Sequence, residues 1–416
     1  MKITIHRGTN QIGGCVTEYE HNGWRLFVDY GEQLPGAPVS EQQLEFDGLT
    51  CGDISKSALL ITHYHGDHIG KVVELPANLP IFMGETAKEI QTGYSKHLKS
   101  VSKEHRQMTE RLTSVSTFSP GKPFAFGDFQ VMPIVIDHSA FDAYAFRIEA
   151  DEVKVFHTGD FRTHGFRSKN IPKVIGLFIG KVDYVVCEAT NINRPNTAQM
   201  SERELQRQFK DDFRANKYNV VYPSSTNIDR LFSLYHAALS AKLPFYVDSY
   251  QKRIMDIARK DIIWGKSKFY QYKSQPPTEL LHDGAEFRVT PKFKDYLAKR
   301  GYVLIARANR YFDRLIEQMP SEGRKTYLSM WNGYVDKTKA AYNQKLAQSL
   351  GNDYILRHTS GHCDMLSLEK LIAMLQPKAI IPIHTDNPSA FADQFHDRWQ
   401  VQLLHDGEPF LAKIPS

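Results

Sequence analysis

The sequence is poor in cysteine and contains no C-x-x-C pair among its 416 residues. Its 4 cysteines are widely scattered, which excludes a disulfide framework or a cysteine-rich zinc finger and favours reduced thiols. No apolar run is long enough to span a membrane, and residues 1–5 are typical of a strand rather than a signal peptide. We therefore expect a cytoplasmic protein with no membrane partner.

Charge of both signs is present, but it is unevenly distributed. Residues 191–350 hold 28 Lys and Arg residues against 16 Asp and Glu residues, whereas the rest of the chain holds 24 against 31. The surplus of 12 positive charges in the middle segment indicates contact with a polyanion. The alternative, which the sequence leaves open, is that these side chains only solubilise helix faces.

The hydrophobic pattern divides the chain into three parts. Residues 1–192 are typical of short strands and turns, and residues 352–416 return to strand, helix and strand. Between them, residues 193–351 alternate helix with strand, beginning with a helix whose capping box pairs Ser201 with Glu204. That alternation predicts a parallel sheet with helical crossovers. We expect an α/β (α+β) fold in which a domain at 193–351 interrupts a domain formed by both ends.

The most informative motif is H-x-H-x-D-H, directly after the apolar strand at 58–61. His63 and His65 have strand-like spacing, so both can face one cation. Asp67 and His68 lie on the following turn and can reach a second cation. Imidazole nitrogen combined with carboxylate oxygen favours zinc or a similar divalent ion. A histidine-rich surface loop would not require this fixed order.

Three more polar residues end apolar strands: His138, Asp160 and His384. Taken singly, a hydrogen-bonded histidine at a strand end is commoner than a metal ligand, but together with the first motif these residues complete two sites. One predicted metal site consists of His63, His65 and His138. The other consists of Asp67, His68 and His384, with Asp160 bridging the two ions.

This residue set, with Asp29 included, resembles the metallo-β-lactamase fold, and is nearest to ribonuclease J in the β-CASP branch of nucleic-acid hydrolases. The resemblance extends over essentially the whole chain. It includes an acidic residue after a strand, Glu188, an S-G-H motif at 360–362, and a P-x-H motif ending at His384. It implies a metallo-β-lactamase αββα sandwich with an inserted β-CASP parallel α/β domain.

The resemblance also implies a metal-dependent ribonuclease that hydrolyses RNA with a hydroxide held by two zinc ions, manganese being the alternative metal. Besides Asp67, the implied catalytic residues are His362, which protonates the leaving oxygen or holds phosphate, and Glu188, which orients His362. Asp29 is expected to brace the ligand loops. The expected substrate-binding residues and further candidate phosphate contacts are Ser360, His362, Arg307, Arg310, Arg162 and Arg230.

Single-stranded RNA is the expected partner, while DNA as a substrate and a homodimer remain open. A second interpretation is a hydrolase of a small ester or lactone, and a third is a non-catalytic protein with the same fold. Glu188, the S-G-H motif and the basic insert disfavour the second, because a small-molecule hydrolase needs none of them. The intact ligand set disfavours the third.

Overall fold

The computed structural model describes residues 1–37, 45–195, 197–281 and 287–413. The chain forms two compact units: unit 1 consists of Met1–Gln199 and Gly361–Ser416, and unit 2 of Met200–Ser360. The sequence-based boundaries, at 192/193 and 351/352, lie a few residues earlier in the chain. Within the described ranges, no helix combines the length and the apolar character needed to cross a membrane.

The first part of unit 1 is mostly strands. They are β1 Lys2–Arg7, β2 Val16–His21, β3 Trp24–Val28, β4 Ser57–Leu60, β5 Ile81–Gly84, β6 Ser116–Phe118, β7 Phe124–Phe126, β8 Phe129–Ile136, β9 Ala143–Ala150, β10 Val153–His157 and β11 Tyr184–Glu188. The helices among them are α1 Gly66–Ile69, α2 Glu85–Leu98, α3 Lys103–Arg111 and α4 Ile171–Phe178.

Unit 2 alternates helices with strands. Its helices are α5 Glu202–Ala215, α6 Ile228–Ser240, α7 Ser249–Arg259, α8 Pro291–Arg300, α9 Arg310–Gln318 and α10 Gln344–Leu350. Its strands are β12 Tyr218–Pro223, β13 Phe245–Asp248, β14 Thr278–Leu281, β15 Tyr302–Ile305, β16 Lys325–Ser329 and β17 Ile355–Leu356. Unit 1 then resumes with α11 Met365–Leu375, β18 Ala379–Ile383, α12 Pro388–Phe395, β19 Gln400–Val401 and β20 Pro409–Leu411.

Unit 1 is built from two sheets that share a core. One sheet has the order β20-β1-β2-β3-β4-β5-β6 and the other β19-β18-β11-β10-β9-β8-β7. Side chains alternate along the strands of the second sheet: Val186 of β11 faces the core between the sheets, whereas Val185 and Cys187 pack against an outer layer that includes α4 and α11. Helix α2 contacts β5 and β6 of the first sheet. The expected αββα arrangement is confirmed.

Several of the predicted donor residues follow the carboxyl ends of strands in the second sheet, and the others follow β4 of the first sheet. Strands β10, β11 and β18 are parallel neighbours, with His157 paired to Val186 and Val186 paired to Ile381. Strand β8 runs in the same direction as β10, because both are antiparallel to β9. The carboxyl ends of these four strands therefore meet, and the polar residues that follow them in the sequence are brought together.

The sheet of unit 2 has the order β14-β13-β15-β12-β16-β17, and its strand pairs are parallel. The predicted parallel sheet with helical crossovers is confirmed, as is the capping box of Ser201 with Glu204 at the start of α5. The sequence patterns did not identify β14. This edge strand is short and follows Pro276 and Pro277, residues that disfavour a strand.

Candidate metal centre

The H-x-H-x-D-H loop leaves β4 and is held by buried contacts. The carboxylate of Asp29 accepts hydrogen bonds from the backbone N–H and the hydroxyl of Thr62, each at 2.7 Å. Behind the loop, Gly31 packs so closely that a Cβ atom there would lie 1.9 Å from the carbonyl carbon and oxygen of Asp67. Only glycine permits this approach. Asp29 thus braces the loop, as expected from the sequence.

Three imidazoles form the first donor group: His63, His65 and His138. The Nδ1 atom of His65 lies 3.1 Å from Nε2 of His63 and 3.2 Å from Nε2 of His138. Zinc–nitrogen bonds of about 2.0–2.1 Å in a tetrahedral arrangement separate ligand nitrogens by about 3.3 Å. The spacing of these three nitrogens therefore fits a single zinc-sized cation.

A second donor group contains two carboxylates and two imidazoles: Asp67, His68, Asp160 and His384. The Nε2 atom of His68 is 3.1 Å from Oδ2 of Asp160. The Nε2 atom of His384 is 3.3 Å from Oδ2 of Asp67 and 3.6 Å from Oδ2 of Asp160. Mixed nitrogen and oxygen donors of this kind suit a divalent metal ion.

Asp160 lies between the two groups. Its Oδ2 atom is 4.0 Å from Nε2 of His63, in the first group, as well as close to the second group. The side chain is 3% exposed, so little water reaches it. This position fits the bridging role that the sequence predicts for Asp160.

In four of the five histidines of these two groups, a polar neighbour contacts the ring nitrogen that points away from the other donors and so orients the imidazole. In these four histidines Nε2 faces the other donors while Nδ1 meets a polar neighbour, whereas His65 turns its Nδ1 inward. Outer partners of this kind fix the tautomer and raise metal affinity. The Nδ1 contacts are His63 with the Thr62 hydroxyl at 3.0 Å, His68 with Asp29 at 2.7 Å, His138 with the Gly361 carbonyl at 2.7 Å, and His384 with the Thr190 hydroxyl at 2.7 Å.

Burial and charge give these groups the protonation states that a cation needs. Burial lowers the pKa of His63 and His138 well below the ordinary value and that of His65 to about 4. Burial alone would raise the pKa of Asp160, but His384 and His68 outweigh it and hold the pKa well below its usual range. Neutral imidazoles and ionised carboxylates are the metal-binding forms.

His68 is the exception, because nearby carboxylates act on it from two sides. Burial alone would lower the pKa of His68, but Asp160, Asp67 and Asp29 together raise it well above the ordinary value. Without a metal, His68 therefore carries the positive charge that balances these carboxylates. A bound cation takes over that role, so metal binding displaces a proton. The donor set fits a cationic metal centre.

His362 and Glu188 form a separate pair beside the donor groups. The Nδ1 atom of His362 is 3.0 Å from Oε2 of Glu188 and 3.7 Å from Oδ2 of Asp160. Glu188 is fixed in turn by the backbone N–H of Phe161, 3.0 Å from its Oε1 atom. Burial would lower the pKa of His362, but Glu188 and Asp160 raise it to about 9.

Exposure distinguishes His362 from its neighbours. Its side chain is 23% exposed, whereas those of Glu188 and His384 are each 1% exposed. His362 and Glu188 also form a third possible donor group with Asp160 and His384. An accessible imidazole held by a buried carboxylate is better suited to contact substrate than to hold an ion.

The sequence patterns did not single out two buried residues that hold the ligand loops. Asp137, next to His138, accepts a hydrogen bond at 3.0 Å from Nε of Arg162 and another at 3.1 Å from the backbone N–H of Arg167. Asn191 donates to the carbonyls of His362 at 3.1 Å and Cys363 at 2.8 Å. Their positions in the sequence could have indicated this role, because Asp137 follows a strand directly and Asn191 lies three residues after Glu188.

Two of the arginines expected to contact phosphate cannot do so. Arg162 and Arg230 are each 0% exposed, so that expectation is wrong for both. Arg162 is paired with Asp137, and Arg230 is paired with Glu202 at 2.9 Å. Sequence alone does not distinguish a buried ion-paired arginine from one that faces substrate.

The remaining predicted substrate-binding residues, Ser360, Arg307 and Arg310, lie in unit 2. Ser360 is buried. Arg307 forms an ion pair with Asp248 and lies 4.6 Å from the ring centre of Tyr250. Arg310 is exposed, and its guanidinium donates at 3.0 Å to the hydroxyl of Tyr311. Of the two arginines, Arg310 is the more exposed.

Comparison with known proteins agrees with this fold. Residues 52–208 match the Beta-lactamase superfamily domain, and residues 355–403 match the Zn-dependent metallo-hydrolase RNA specificity domain. A solved protein of unknown function from Enterococcus faecalis V583 aligns with a TM-score of 0.73 at 17% identity, over 98% of this chain and 99% of its own. These matches, together with the two sheets of unit 1, show the metallo-β-lactamase fold and support a metal ion as cofactor.

Within that fold the similarity is to ribonuclease J, as the sequence motifs indicated. Ribonuclease J of Mycobacterium tuberculosis is 26% identical over 275 residues, which cover 62% of this chain and 47% of the relative. Ribonuclease J of Mycoplasma pneumoniae is 22% identical over 416 residues, covering 92% of this chain and 67% of the relative. The chain thus spans about half the length of the mycobacterial relative that it matches.

Proposed function

We propose that this protein is a metal-dependent phosphodiesterase that hydrolyses RNA and uses two zinc ions, with manganese as the alternative metal. The observation that carries the proposal is the pair of donor groups that meet at Asp160, whose Oδ2 atom lies 3.1 Å from His68 and 4.0 Å from His63. Paired metal sites are the usual means of catalysing phosphodiester hydrolysis.

The two ions are assigned by proximity of the donor atoms. His63, His65 and His138 would hold one ion, and Asp67, His68 and His384 would hold the other. Asp160 would contribute to both. When bound, divalent ions act as Lewis acids that provide a nucleophile at neutral pH and neutralise charge on a phosphoryl group.

The chain's own acid–base residue would be His362. With Nδ1 held at 3.0 Å by Glu188, a protonated His362 directs its Nε2–H group as a proton donor, either to the leaving oxygen or to a phosphate oxygen. Glu188 keeps the ring in one orientation and stabilises its positive charge. Asp67 would act by positioning its ion.

Several observations favour RNA over other substrates. Residues 355–403, which include His362 and His384, match a domain described as giving RNA specificity, and relatives carry the name ribonuclease J. The surplus of 12 positive charges in residues 191–350 suits a polyanion. In unit 2, Arg310 would contribute a substrate contact, whereas Arg307 is held by its ion pair with Asp248 and Ser360 is buried. A cytoplasmic location stays a prediction, and cleavage of DNA and a homodimer stay open alternatives.

Hydrolysis of a small ester or lactone is the second candidate, because the same fold and donor set suit it. It does not explain the His362–Glu188 pair or the basic middle segment. The full-length protein should be assayed on labelled single-stranded RNA, on DNA of the same sequence and on a generic ester. We expect RNA cleavage that a chelator abolishes and that zinc or manganese restores.

The matched variants are Asp160→Ala and Asp397→Ala. Asp397 is also in unit 1 but its side chain is 86% exposed, so removing its carboxylate should leave cleavage unchanged. Asp160→Ala should abolish it. Faster turnover of the ester than of RNA, under conditions where both are soluble and the metal is bound, would replace the first candidate with the second.

A further inference from the structure

A compact loop of unit 2 presents four lysines together with two isoleucines. We call this set the lysine surface: Lys260, Ile262, Ile263, Lys266, Lys268 and Lys273. All six side chains are exposed, Ile262 by 63% and Ile263 by 37%. Among the residues that the structure describes, no carboxylate lies within ion-pair distance of these four ammonium groups.

The local sequence makes this surface strongly positive. Residues 257–278 contain five basic residues and one acidic residue, Asp261. The Asp261 carboxylate is turned inward: it accepts hydrogen bonds from the backbone N–H groups of Ile263 at 2.9 Å and Trp264 at 2.6 Å, and the residue is 6% exposed. It is therefore poorly placed to neutralise the lysines from the solvent side.

Hydrogen bonds join the loop to the end of α7 and restrain the segment that carries the lysines. The side-chain amide of Gln271 donates to the carbonyl of Arg259 at 3.1 Å and also to that of Gly265. Arg259 itself is engaged with Asp256 at 3.0 Å and stacks 3.9 Å from the ring centre of Tyr272. A fastened loop loses less conformational entropy when a ligand binds.

A concave surface adjoins these lysines. One face of α7, from Ser249 to Lys260, lines a cavity of about 380 Å³ together with Glu279 of β14. Strand β14 is at the edge of the sheet of unit 2. Lys260 belongs both to this cavity and to the lysine surface, so the two adjoin; the cavity itself is of mixed charge, because Asp256 and Glu279 line it beside Lys252, Arg253 and Lys260.

We propose that the lysine surface binds the phosphate backbone of single-stranded RNA, as a contact separate from the metal centre. The proposal rests on the RNA-hydrolysing function proposed above and adds a specific binding surface to it. Four ammonium groups without carboxylate partners complement successive phosphates, and each contact releases counterions from the strand. Ile262 and Ile263 offer apolar surface to base faces, which a single strand exposes and a duplex does not.

The test compares two full-length variants in which the same amount of charge is removed from the same unit. The first carries Lys260→Gln, Lys266→Gln, Lys268→Gln and Lys273→Gln. The control carries Lys292→Gln, Lys294→Gln, Lys299→Gln and Arg300→Gln on α8, whose side chains are also exposed. The Kd for a fluorescent single-stranded RNA of about two dozen nucleotides is measured by anisotropy across a salt series.

The lysine-surface variant should bind this RNA at least about tenfold more weakly, with a log–log salt slope flatter by about 0.7 for each phosphate that a lysine no longer neutralises. The Kd of the α8 control should stay within about twofold of the wild-type Kd. Its charges would act on the RNA only at long range, where salt screens them. The unfolding temperatures of both variants are measured first. If the fourfold variant is unstable, the single change Lys268→Gln should shift the Kd in the same direction.

Three results would overturn the inference: equal weakening in both variants, no weakening in the lysine-surface variant, or lysine-dependent binding to phosphatidylserine vesicles with unchanged RNA affinity. The last result would identify an anionic membrane as the partner. RNA hydrolysis by the wild type is scored separately. If the wild type cleaves RNA and both variants bind it equally, this inference alone fails, whereas a wild type that does not cleave RNA contradicts the proposed function.

Discussion

The Nδ1 atom of His362 lies 3.0 Å from Oε2 of Glu188, although 174 positions separate these residues in the sequence. The contact joins the end of β11 to the segment in which unit 1 resumes after unit 2. It orients the His362 imidazole, whose side chain is 23% exposed. In the function proposed above, the Glu188 carboxylate would position this imidazole and the imidazole would contact substrate.

His362→Ala should retain the bound metal and lower kcat by about a hundredfold or more, because a positioned acid–base group is removed. Glu188→Gln keeps the shape of the carboxylate but not its charge, so it should lower kcat less than His362→Ala does. Single-turnover kinetics and elemental analysis on the same preparations measure both effects. Loss of metal from His362→Ala would show instead that this residue is a ligand.

The metal centre should contain about two metal equivalents per chain when fully loaded, as a two-metal site requires. Asp160→Ala should lower the number bound and abolish hydrolysis, because its Oδ2 atom approaches both donor groups. Its far-ultraviolet circular dichroism should stay close to that of wild type. A single equivalent in wild type after careful loading would contradict the dinuclear assignment.

Arg162→Met should weaken metal binding, by less than the roughly 10–100-fold that follows loss of a direct partner of a ligand, because Arg162 acts on the ligand loop through Asp137. Arg162 is bonded at 3.0 Å to Asp137, which directly precedes His138. Competition with a fluorescent chelator measures the affinity. Breaking a buried pair also costs about 3–5 kcal/mol of stability, so unfolding is recorded in parallel, and Arg162→Lys should recover part of both properties.

The matched control is Arg398→Met, which removes a pair with Glu369 from an arginine side chain that is 54% exposed. It should change stability by less than about 1 kcal/mol and leave metal affinity unaltered. Equal metal affinity in Arg162→Met and Arg398→Met would show that the buried pair supports the fold without positioning His138.

Arg310→Ala and Arg307→Ala should have different effects. Arg310 is exposed, so its removal should weaken RNA binding and flatten the log–log salt slope by about 0.7. Arg307 is paired with Asp248, the residue that caps α7, so its removal should mainly lower the unfolding temperature. Arg214→Ala, at an exposed position of α5, is the control. An identical slope for Arg310→Ala and Arg214→Ala would contradict the contact.

Glu18 should make unit 1 sensitive to acid. Its carboxylate oxygens lie 2.6 Å from Nε2 of His6 and 2.5 Å from Nε of Arg25. Burial raises the pKa of Glu18, but these two hydrogen bonds outweigh it and hold the pKa below the ordinary value. The stabilisation is therefore present above the unfolded pKa of about 4.3 and is lost as the pH falls below it.

Urea unfolding between about pH 6 and pH 3 measures this effect, with Glu18→Gln as the comparison. The variant should be less stable than wild type at pH 6, and the difference should narrow as the medium becomes acidic. A difference that does not change with pH would mean that Glu18 contributes only through packing and uncharged hydrogen bonds.

The features that the sequence revealed are those encoded over short distances. The H-x-H-x-D-H motif places four donors within six positions, and the strand preceding His384 identifies that residue as a strand end. The parallel sheet of unit 2 follows from the regular alternation of helix and strand. In these cases local pattern and tertiary structure agree.

The features that the sequence did not reveal depend on contacts between distant segments. Arginine is a residue type that often binds phosphate. The side chain of Arg162, however, is 0% exposed and is hydrogen-bonded to Asp137, which lies 25 residues earlier in the sequence. Arg307 likewise meets Asp248 across 59 positions. Whether an arginine faces solvent or a buried carboxylate is decided by the fold and not by its neighbours in the chain.

The split of unit 1 determines the order in which the centre is completed during synthesis. Six of the seven predicted donors precede unit 2, whereas His384, like His362, is translated after it. Strand β18, which carries His384 at its end, also lies inside the second sheet between β11 and β19. At roughly 5–20 residues per second, the ribosome needs about 11–45 s to pass from Asp160 to His384. A nascent chain that has not yet reached His384 therefore lacks one of the seven proposed donors, so the proposed metal centre can be completed only after unit 2 has been translated.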